Sequence, residues 1–543
     1  MDMKNIGTQN IYREMSIYAV LGLFVLVFLT YRDYGITHDE EVQNIYGKML
    51  LSYYLSGFYD TTALEYKDLY RYGGLFDLIA AVCNLISPLG EYETRHLLGG
   101  LSGIIGFIAA WKLGNLLLNE KAGFVSLVLL AITPVFYAHN FNNPKDGPFA
   151  SAMLWTLYFS IQILQQLPKP RLSTSLKWGV ALGCALSIRI TGILAIAELG
   201  IVIILYLLLN RLIAKDYWDE IFQQLLQIII RILPGFILAY AIMIFFWPWA
   251  GIELLNPIKA LFAFSTLPID IDVLVGGKWF KAVNIPAYYL SAYLLVNLPE
   301  IILVGLIIGI VIAVCWGIKH YKKLSSYTSY LPYFLLFIAS LFPIFLTIVM
   351  NYTDFNGLRH FLFVVPPLTV LAALSLTKIW DMLENKAFWL GRIFSFIFAS
   401  LIIIQIWIMA RLHPDEYVYF NVLTGGTKGA EGRFEMDYWS NSLSEAVTKL
   451  GEYLEQENAD NPYNPSFKVA VCGHPLSASY FFPPFLSLTY DLQEADFLIA
   501  FTQKDCDEMF KGKPIVTVER FGANLSIVKD RRDLKSENEE DGK

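Results

Sequence analysis

Residues 301–317 read IILVGLIIGIVIAVCWG, aliphatic almost throughout and without a charge until Lys319. A run like this has no polar face to offer water. With the residues just before it, it reaches the roughly 20 apolar residues that cross a hydrocarbon layer as a helix. Working outward, segments of the same kind occupy 15–31, 93–118, 121–139, 147–166, 173–190, 192–210, 224–246, 297–317, 328–350, 358–379 and 388–410. The reading is a polytopic α-helical membrane protein with about eleven transmembrane helices. The stretch 71–90 is apolar too, but Gly73, Gly74, Asp77 and Pro88 interrupt it. It is expected to lie along the membrane surface without crossing.

The composition agrees. Of 543 residues, 55% are hydrophobic and only 16% charged, where soluble chains carry about 25% charge. Net charge is −7, and residues 411–543 hold 14 Lys and Arg against 23 Asp and Glu. No basic stripe is present, which argues against nucleic acid as a partner. The five cysteines show no metal-ligand spacing. Cys472 and Cys506 both fall in the acidic C-terminal region; a disulfide between them and two separate thiols are both open readings.

Lys and Arg concentrate in alternate short loops: Lys121; Lys169, Arg171 and Lys177; Arg211 and Lys215; Lys319, Lys322 and Lys323; Lys386. The positive-inside rule then puts the N-terminus in the cytoplasm. No small-residue cleavage site follows 17–31, so that first span reads as a retained anchor. An odd number of spans leaves 411–543 outside. The domain reading is a transmembrane domain over 1–410, with a first outer loop at 32–92, and a soluble α/β domain over 411–543 ending in a disordered tail. Within 411–543, apolar spacing predicts a helix over 440–457, and strands are expected at 467–472, 486–490, 496–502 and as a pair within 514–529.

With this orientation the paired ionisable residues gather on one side. They are Thr37-His38-Asp39-Glu40-Glu41, Asn142-Asn143-Pro144-Lys145-Asp146 and Asp354-Phe355-Asn356-Gly357-Leu358-Arg359-His360. A charge at the edge of a bilayer is costly unless it is paired or working. Adjacent carboxylates suit general-base chemistry or cation binding, and an interfacial Arg suits bidentate contact with phosphate. Arg189, between two abutting spans, is a further cation at the membrane edge. There is no P-loop, no HExxH and no GxSxG elbow.

Taken together these motifs resemble the GT-C glycosyltransferases, within them the protein O-mannosyltransferase and lipid A aminoarabinose transferase group. Asp39-Glu40 is similar to the acidic pair of that family's first outer loop, and Asn143-Pro144-Lys145-Asp146-Gly147-Pro148-Phe149 to a second acidic motif of the bacterial branch. Arg359-His360 followed by Pro366-Pro367 resembles the basic entry of a late span. His413-Pro414, Tyr417-Val418-Tyr419-Phe420-Asn421 and Gly429 to Trp439 resemble the junction that follows. The resemblance implies a phospholipid carrier-dependent glycosyltransferase of the cell inner membrane. Its donor would be a polyprenyl-phosphate sugar and its acceptor an extracytoplasmic lipid, polysaccharide or protein. It implies Asp39 as the base, Glu40 and Asp146 as organisers of the substrate cavity, and Lys145, Arg359, Arg71 and His360 at the donor phosphate. Relatives often carry Lys-Pro-Pro where this chain has Arg71-Tyr72-Gly73-Gly74. No obligatory metal cofactor is expected; a divalent cation is the alternative, since some superfamily members use one. A transporter or flippase of lipid-linked sugars is the rival reading, and it predicts inverted repeats that the sequence does not show.

Overall fold

The computed structural model describes residues 3–213, 217–265, 270–320, 328–350, 352–457 and 466–534. The N-terminal helices are α1 (Met3–Thr30), α2 (His38–Leu55), α3 (Leu75–Asn84), α4 (Glu91–Leu117), α5 (Glu120–Ala131), α6 (Pro134–Asn142), α7 (Asp146–Gln165), α8 (Leu172–Leu186), α9 (Ile193–Ile213) and α10 (Trp218–Phe246). After three short helices, α11 (Pro248–Ile252), α12 (Asn256–Ser265) and α13 (Tyr289–Asn297), come α14 (Glu300–His320), α15 (Leu331–Met350), α16 (Val365–Lys386) and α17 (Phe388–Leu412).

Every expected span coincides with a helix or a helix pair. Among the described residues, eight helices are long and apolar enough to cross a membrane, or nine if one bent pair counts as a span. The pair is α5 and α6, expected as one straight helix over 121–139. It turns through 65° because Pro134 has no N–H for the ladder and its ring crowds the preceding turn. α6 then runs on, buried along its whole length, and delivers Asn142–Asp146 to the site. α8 falls short for a different reason: 15 residues rise only about 22 Å.

Burial sorts the spans. The apolar window of the span Arg359–Lys386 is 83% buried, against 17% for Gln9–Thr30, 17% for Glu300–Lys319 and 22% for Phe388–Leu412. Helices that are apolar on every side yet exposed need lipid around them. This is a membrane protein with one central helix and a lipid-facing ring.

α3 is a ten-residue helix, too short at about 15 Å to cross, as expected for 71–90. Its approach explains Gly73-Gly74. A Cβ on Gly73 would lie 1.9 Å from the Ser187 carbonyl oxygen, while Gly74 N donates to Phe246 O and Leu75 N to Ser187 O. Only glycine lets this strip pass so close to the ends of α8 and α10, and the strip carries Tyr72 into the site.

The C-terminal sheet has strand order β4-β3-β5-β7-β6, from β3 (Phe467–Cys472), β4 (Leu486–Leu488), β5 (Phe497–Phe501), β6 (Lys513–Arg520) and β7 (Ala523–Asp530); β1 and β2 are the hairpin strands Asp272–Val275 and Lys278–Lys281. β3 pairs parallel with β4 and β5, and β7 antiparallel with β5 and β6. The helix Leu443–Glu457 packs Leu443, Val447, Leu450 and Leu454 with Val469, Ile499 and Val528 into a separate core. Cys472 and Cys506 form a disulfide with Cα atoms 6.1 Å apart, so of the two open readings the bonded one holds. Residues between Tyr417 and Trp439 contribute to the large core of the helical region; the sheet's own core begins at Leu443. The tail expected to be disordered lies, from residue 535 on, outside the described residues.

Candidate functional site

Four segments distant in sequence meet at one end of the helical region: the first turn of α2, Tyr72, the link from α6 to α7, and Arg359 at the head of the central span. Arg359 Nη1 lies 2.6 Å from Asp39 Oδ2. Its guanidinium is sandwiched by aromatics, 4.6 Å from the ring centre of Trp439 and 5.2 Å from that of Phe355. Arg189 Nη2 lies 2.6 Å from Asp146 Oδ1, and the other Asp146 oxygen accepts from Asn143 Nδ2 at 2.9 Å. Tyr72 joins the two halves. Lys145 Nζ sits 3.9 Å over its ring and Arg189 lies 5.8 Å from the same centre.

The electrostatics tie the halves further. Burial alone would raise the Asp39 carboxyl, but Arg359 and Lys145 outweigh it and hold Asp39 below the usual carboxylate range. Burial pulls Lys145 down to about 8, with Asp39 working against that fall. Lys145, Arg189 and Arg359 thus face Asp39 and Asp146, and Lys145 also feels Asp77, which Arg95 already pairs. Lys145 makes no salt bridge among the described residues. The buried Nε atoms of Arg189 and Arg359 have no hydrogen-bond partner there either. Unsatisfied charged donors in a dry place are expensive, and an anion is what would satisfy them.

Of the residues singled out in the sequence, Asp39, Lys145, Asp146 and Arg359 come together and three others do not. Glu40 turns to the opposite side of the turn, accepting from Thr37 N at 2.9 Å as the third residue of a capping box and contacting His96 Nε2 at 3.1 Å. Its geometry is that of a buried anchor between α2 and α4. Arg71 pairs with Asp68 at 3.1 Å and donates to Tyr70 Oη. His360 Nδ1 meets Asp354 Oδ1 at 2.7 Å. Burial pushes the Asp354 carboxyl well above the carboxylate range.

Three members of the cluster are not among the expected site residues. In the sequence Arg189 stands out only as a stray cation, Tyr72 only as the residue after Arg71, and Trp439 only inside a junction motif. Beneath α2, Arg95 and Asp77 form a buried pair at 2.5 Å; the sequence signal for it is an Asp inside an apolar stretch. Among the described residues no group of three or more His, Cys, Asp and Glu converges to hold a metal.

No curated protein matches the chain. Among solved structures it is similar to ArnT from Cupriavidus metallidurans in the apo state, at 13% identity and a TM-score of 0.47 over 96% of this chain and 98% of that one. It is similar as well to the same protein bound to undecaprenyl phosphate, at 12% identity and 0.47 over 94% and 97%. The archaeal oligosaccharyltransferase AglB from Archaeoglobus fulgidus, in complex with an inhibitory peptide and a dolichol-phosphate, aligns at 10% identity and 0.46 over 90% of this chain and 69% of that one. Residues 78–234 match the model of the family described as dolichyl-phosphate-mannose-protein mannosyltransferase. The match takes in under a third of the chain, the segment that carries Lys145, Asp146 and Arg189.

Proposed function

We propose that the chain takes a sugar from a polyprenyl-phosphate donor and passes it to a hydroxyl of an extracytoplasmic lipid, polysaccharide or protein. The reaction takes place on the outer face of the inner membrane, with the N-terminus cytoplasmic. The observation that carries this reading is the convergence of Lys145, Arg189 and Arg359, short of anionic partners, beside Asp39. A phosphate offers the missing acceptors. Arg359 keeps Nε open while Nη1 is on Asp39, so the planar guanidinium can take a phosphate edge-on.

Arg359 thereby links donor and base. It holds Asp39 as a weakly basic carboxylate. A donor phosphate that draws on the same guanidinium and on Lys145 lessens their hold, and the proton affinity of Asp39 rises. The acceptor oxygen then attacks the anomeric carbon as its proton passes to Asp39. The bond from that carbon to the phosphate oxygen breaks, and its electron pair leaves with the polyprenyl phosphate. Asp146 keeps Arg189 aimed at the donor. The phosphate charge is met by side-chain cations, so the reaction is proposed to need no obligatory metal.

The test uses the full chain in lipid vesicles with a sugar-labelled polyprenyl-phosphate donor and membrane extract as acceptor. Label moving to the acceptor while free polyprenyl phosphate accumulates supports the proposal. Donor lipid that changes leaflets with its sugar bond intact would make the protein a flippase and sink it.

A further inference from the structure

The first turn of α2 sends four consecutive side chains to three places. Asp39 goes to Arg359 and Glu40 to His96. His38 and Glu41, three residues apart and so on one face of the helix, both meet the C-terminal region. His38 Nε2 lies 3.1 Å from Ser440 Oγ, and Glu41 Oε2 lies 3.2 Å from His474 Nε2. The two imidazole rings are 5.3 Å apart, and the ring of Phe501 from β5 stands 6.0 Å from His38.

The C-terminal side of this contact is built to hold position. His474 follows the end of β3, which the Cys472–Cys506 disulfide secures. Between them Gly473 has φ +145°, and a Cβ there would press within 3.0 Å of Leu443 and 3.2 Å of Ser440 Oγ. Ser440 itself has φ +63°, a conformation that a non-glycine residue keeps only when its surroundings impose it. Next to it the buried Asn441 Oδ1 accepts from Gly35 N at 2.8 Å and from Asn142 Nδ2 at 2.7 Å. One amide thus ties the loop before Asp39 to the loop before Asp146, and its own Nδ2 donates to Asp415 at 2.6 Å.

We infer that the C-terminal sheet belongs to the active site, with His474 a positioning residue that holds the Asp39 turn through Glu41 while Arg359 holds it from the membrane side. This rests on the reading of the chain as a transferase. Burial lowers the His474 imidazole below its ordinary range while Glu41 pulls the other way, and Nε2 is the ring nitrogen that faces the Glu41 carboxylate. The donor cations lie on other elements, so His474 bears on the acceptor half of the reaction and not on the phosphate. An offset of about 1 Å in a reacting group can cost up to about 100-fold in rate.

The experiment compares wild type, His474→Ala, His474→Gln, Glu41→Ala and the double variant His474→Ala/Glu41→Ala as full chains in vesicles, reading kcat, donor KM and donor binding. His474→Ala and Glu41→Ala should each lower kcat by about 10- to 100-fold with donor binding unchanged. The double variant should be no worse than either single one, because both break the same contact. His474→Gln, whose amide nitrogen reaches about where Nε2 sits, should recover most of the rate. Tyr480→Phe, at a separate sheet contact to Glu93 (3.1 Å), should behave as wild type. Unaltered kcat in His474→Ala, additive losses in the double variant, or loss of donor binding alongside kcat would each overturn the inference. A wild-type protein without transfer would instead overturn the transferase reading.

Discussion

The central span Arg359–Lys386 ends in a cluster of charge at both extremities, and the two clusters are opposites. At the far end Lys121 Nζ lies 2.9 Å from Asp381 and 3.1 Å from Glu384, with the Trp380 ring centre 4.1 Å away. One cation meets two carboxylates, and both acids reach solvent. At the near end Lys145, Arg189 and Arg359 share Asp39 and Asp146, and buried guanidinium N–H groups are left over. A saturated cluster fixes two helices to each other and has nothing to give a ligand. A cluster with cations in excess, and with buried guanidinium N–H groups unmatched, has donors to offer an anion. The number of ion pairs does not separate the two ends; the donors left unmatched do.

The widest gap between the ends should appear in turnover. Asp39→Asn removes the proton acceptor while leaving the cations, so the rate should fall by about 10²–10⁴-fold with donor binding kept. Arg359→Ala comes next, since it removes a charge-assisted contact worth about 1.5–3 kcal/mol. It should weaken donor binding by about ten- to a hundredfold, and Arg359→Lys should recover only a fraction because ammonium is a point charge. Binding of a nonhydrolysable lipid-phosphate sugar reads both. Donor binding lost in Asp39→Asn but kept in Arg359→Ala would reverse the roles of acid and cation.

Much of this is legible in the sequence, and what is not has a physical cause. Hydropathy locates every span, because lipid-facing helices such as α14 must be apolar on all sides. It cannot see that Pro134 bends 121–139, since both halves remain apolar. The strands of the C-terminal sheet stand within a residue or two of their expected places, because Pro, Gly and charged turns bound short apolar runs there. Asp39, Lys145, Asp146 and Arg359 stand out because charge at a membrane edge is conspicuous. Glu40 misleads by adjacency: successive residues at a helix start point in different directions, and the capping box claims the third one. Tyr72 and Trp439 are invisible because an aromatic in an aromatic-rich chain carries no signal until its neighbour across space is known. His474 belongs to the same class. It is remote in sequence from every motif and is brought to the site only by the way the sheet sits on α2.

The saturated end makes an expectation of a different kind. Lys121→Met leaves Asp381 and Glu384 without their cation but within reach of water. It should cost about 1–3 kcal/mol of stability, read as a lower unfolding temperature in detergent. Per folded molecule, donor KM and kcat should stay at wild-type values. A selective rise in donor KM would break the contrast between the two ends.

The smallest expected effect concerns a second saturated cluster, at His413 just beyond α17. Its Nδ1 lies 2.8 Å from Glu416 and its Nε2 3.0 Å from Asp33, which follows α1. Here two acids again surround one cationic group, and the group can be titrated. Burial works to lower the imidazole, but Glu416 and Asp33 together overcome it and raise His413 to about 9. A group whose affinity for its proton is raised by folding stabilises the fold where both states are protonated. That contribution is complete below the ordinary value of about 6.5 and is lost as pH climbs through about 9. The side chain is 25% exposed, so solvent screening limits the gain to about 1 kcal/mol. Wild type should therefore melt a few degrees above His413→Gln at about pH 6, and the two curves should meet by about pH 10. Transfer per folded molecule should be the same in both. A gap that widens with pH would mean that His413 is neutral in the fold, and that the α1–α17 junction is held by something other than a saturated ion cluster.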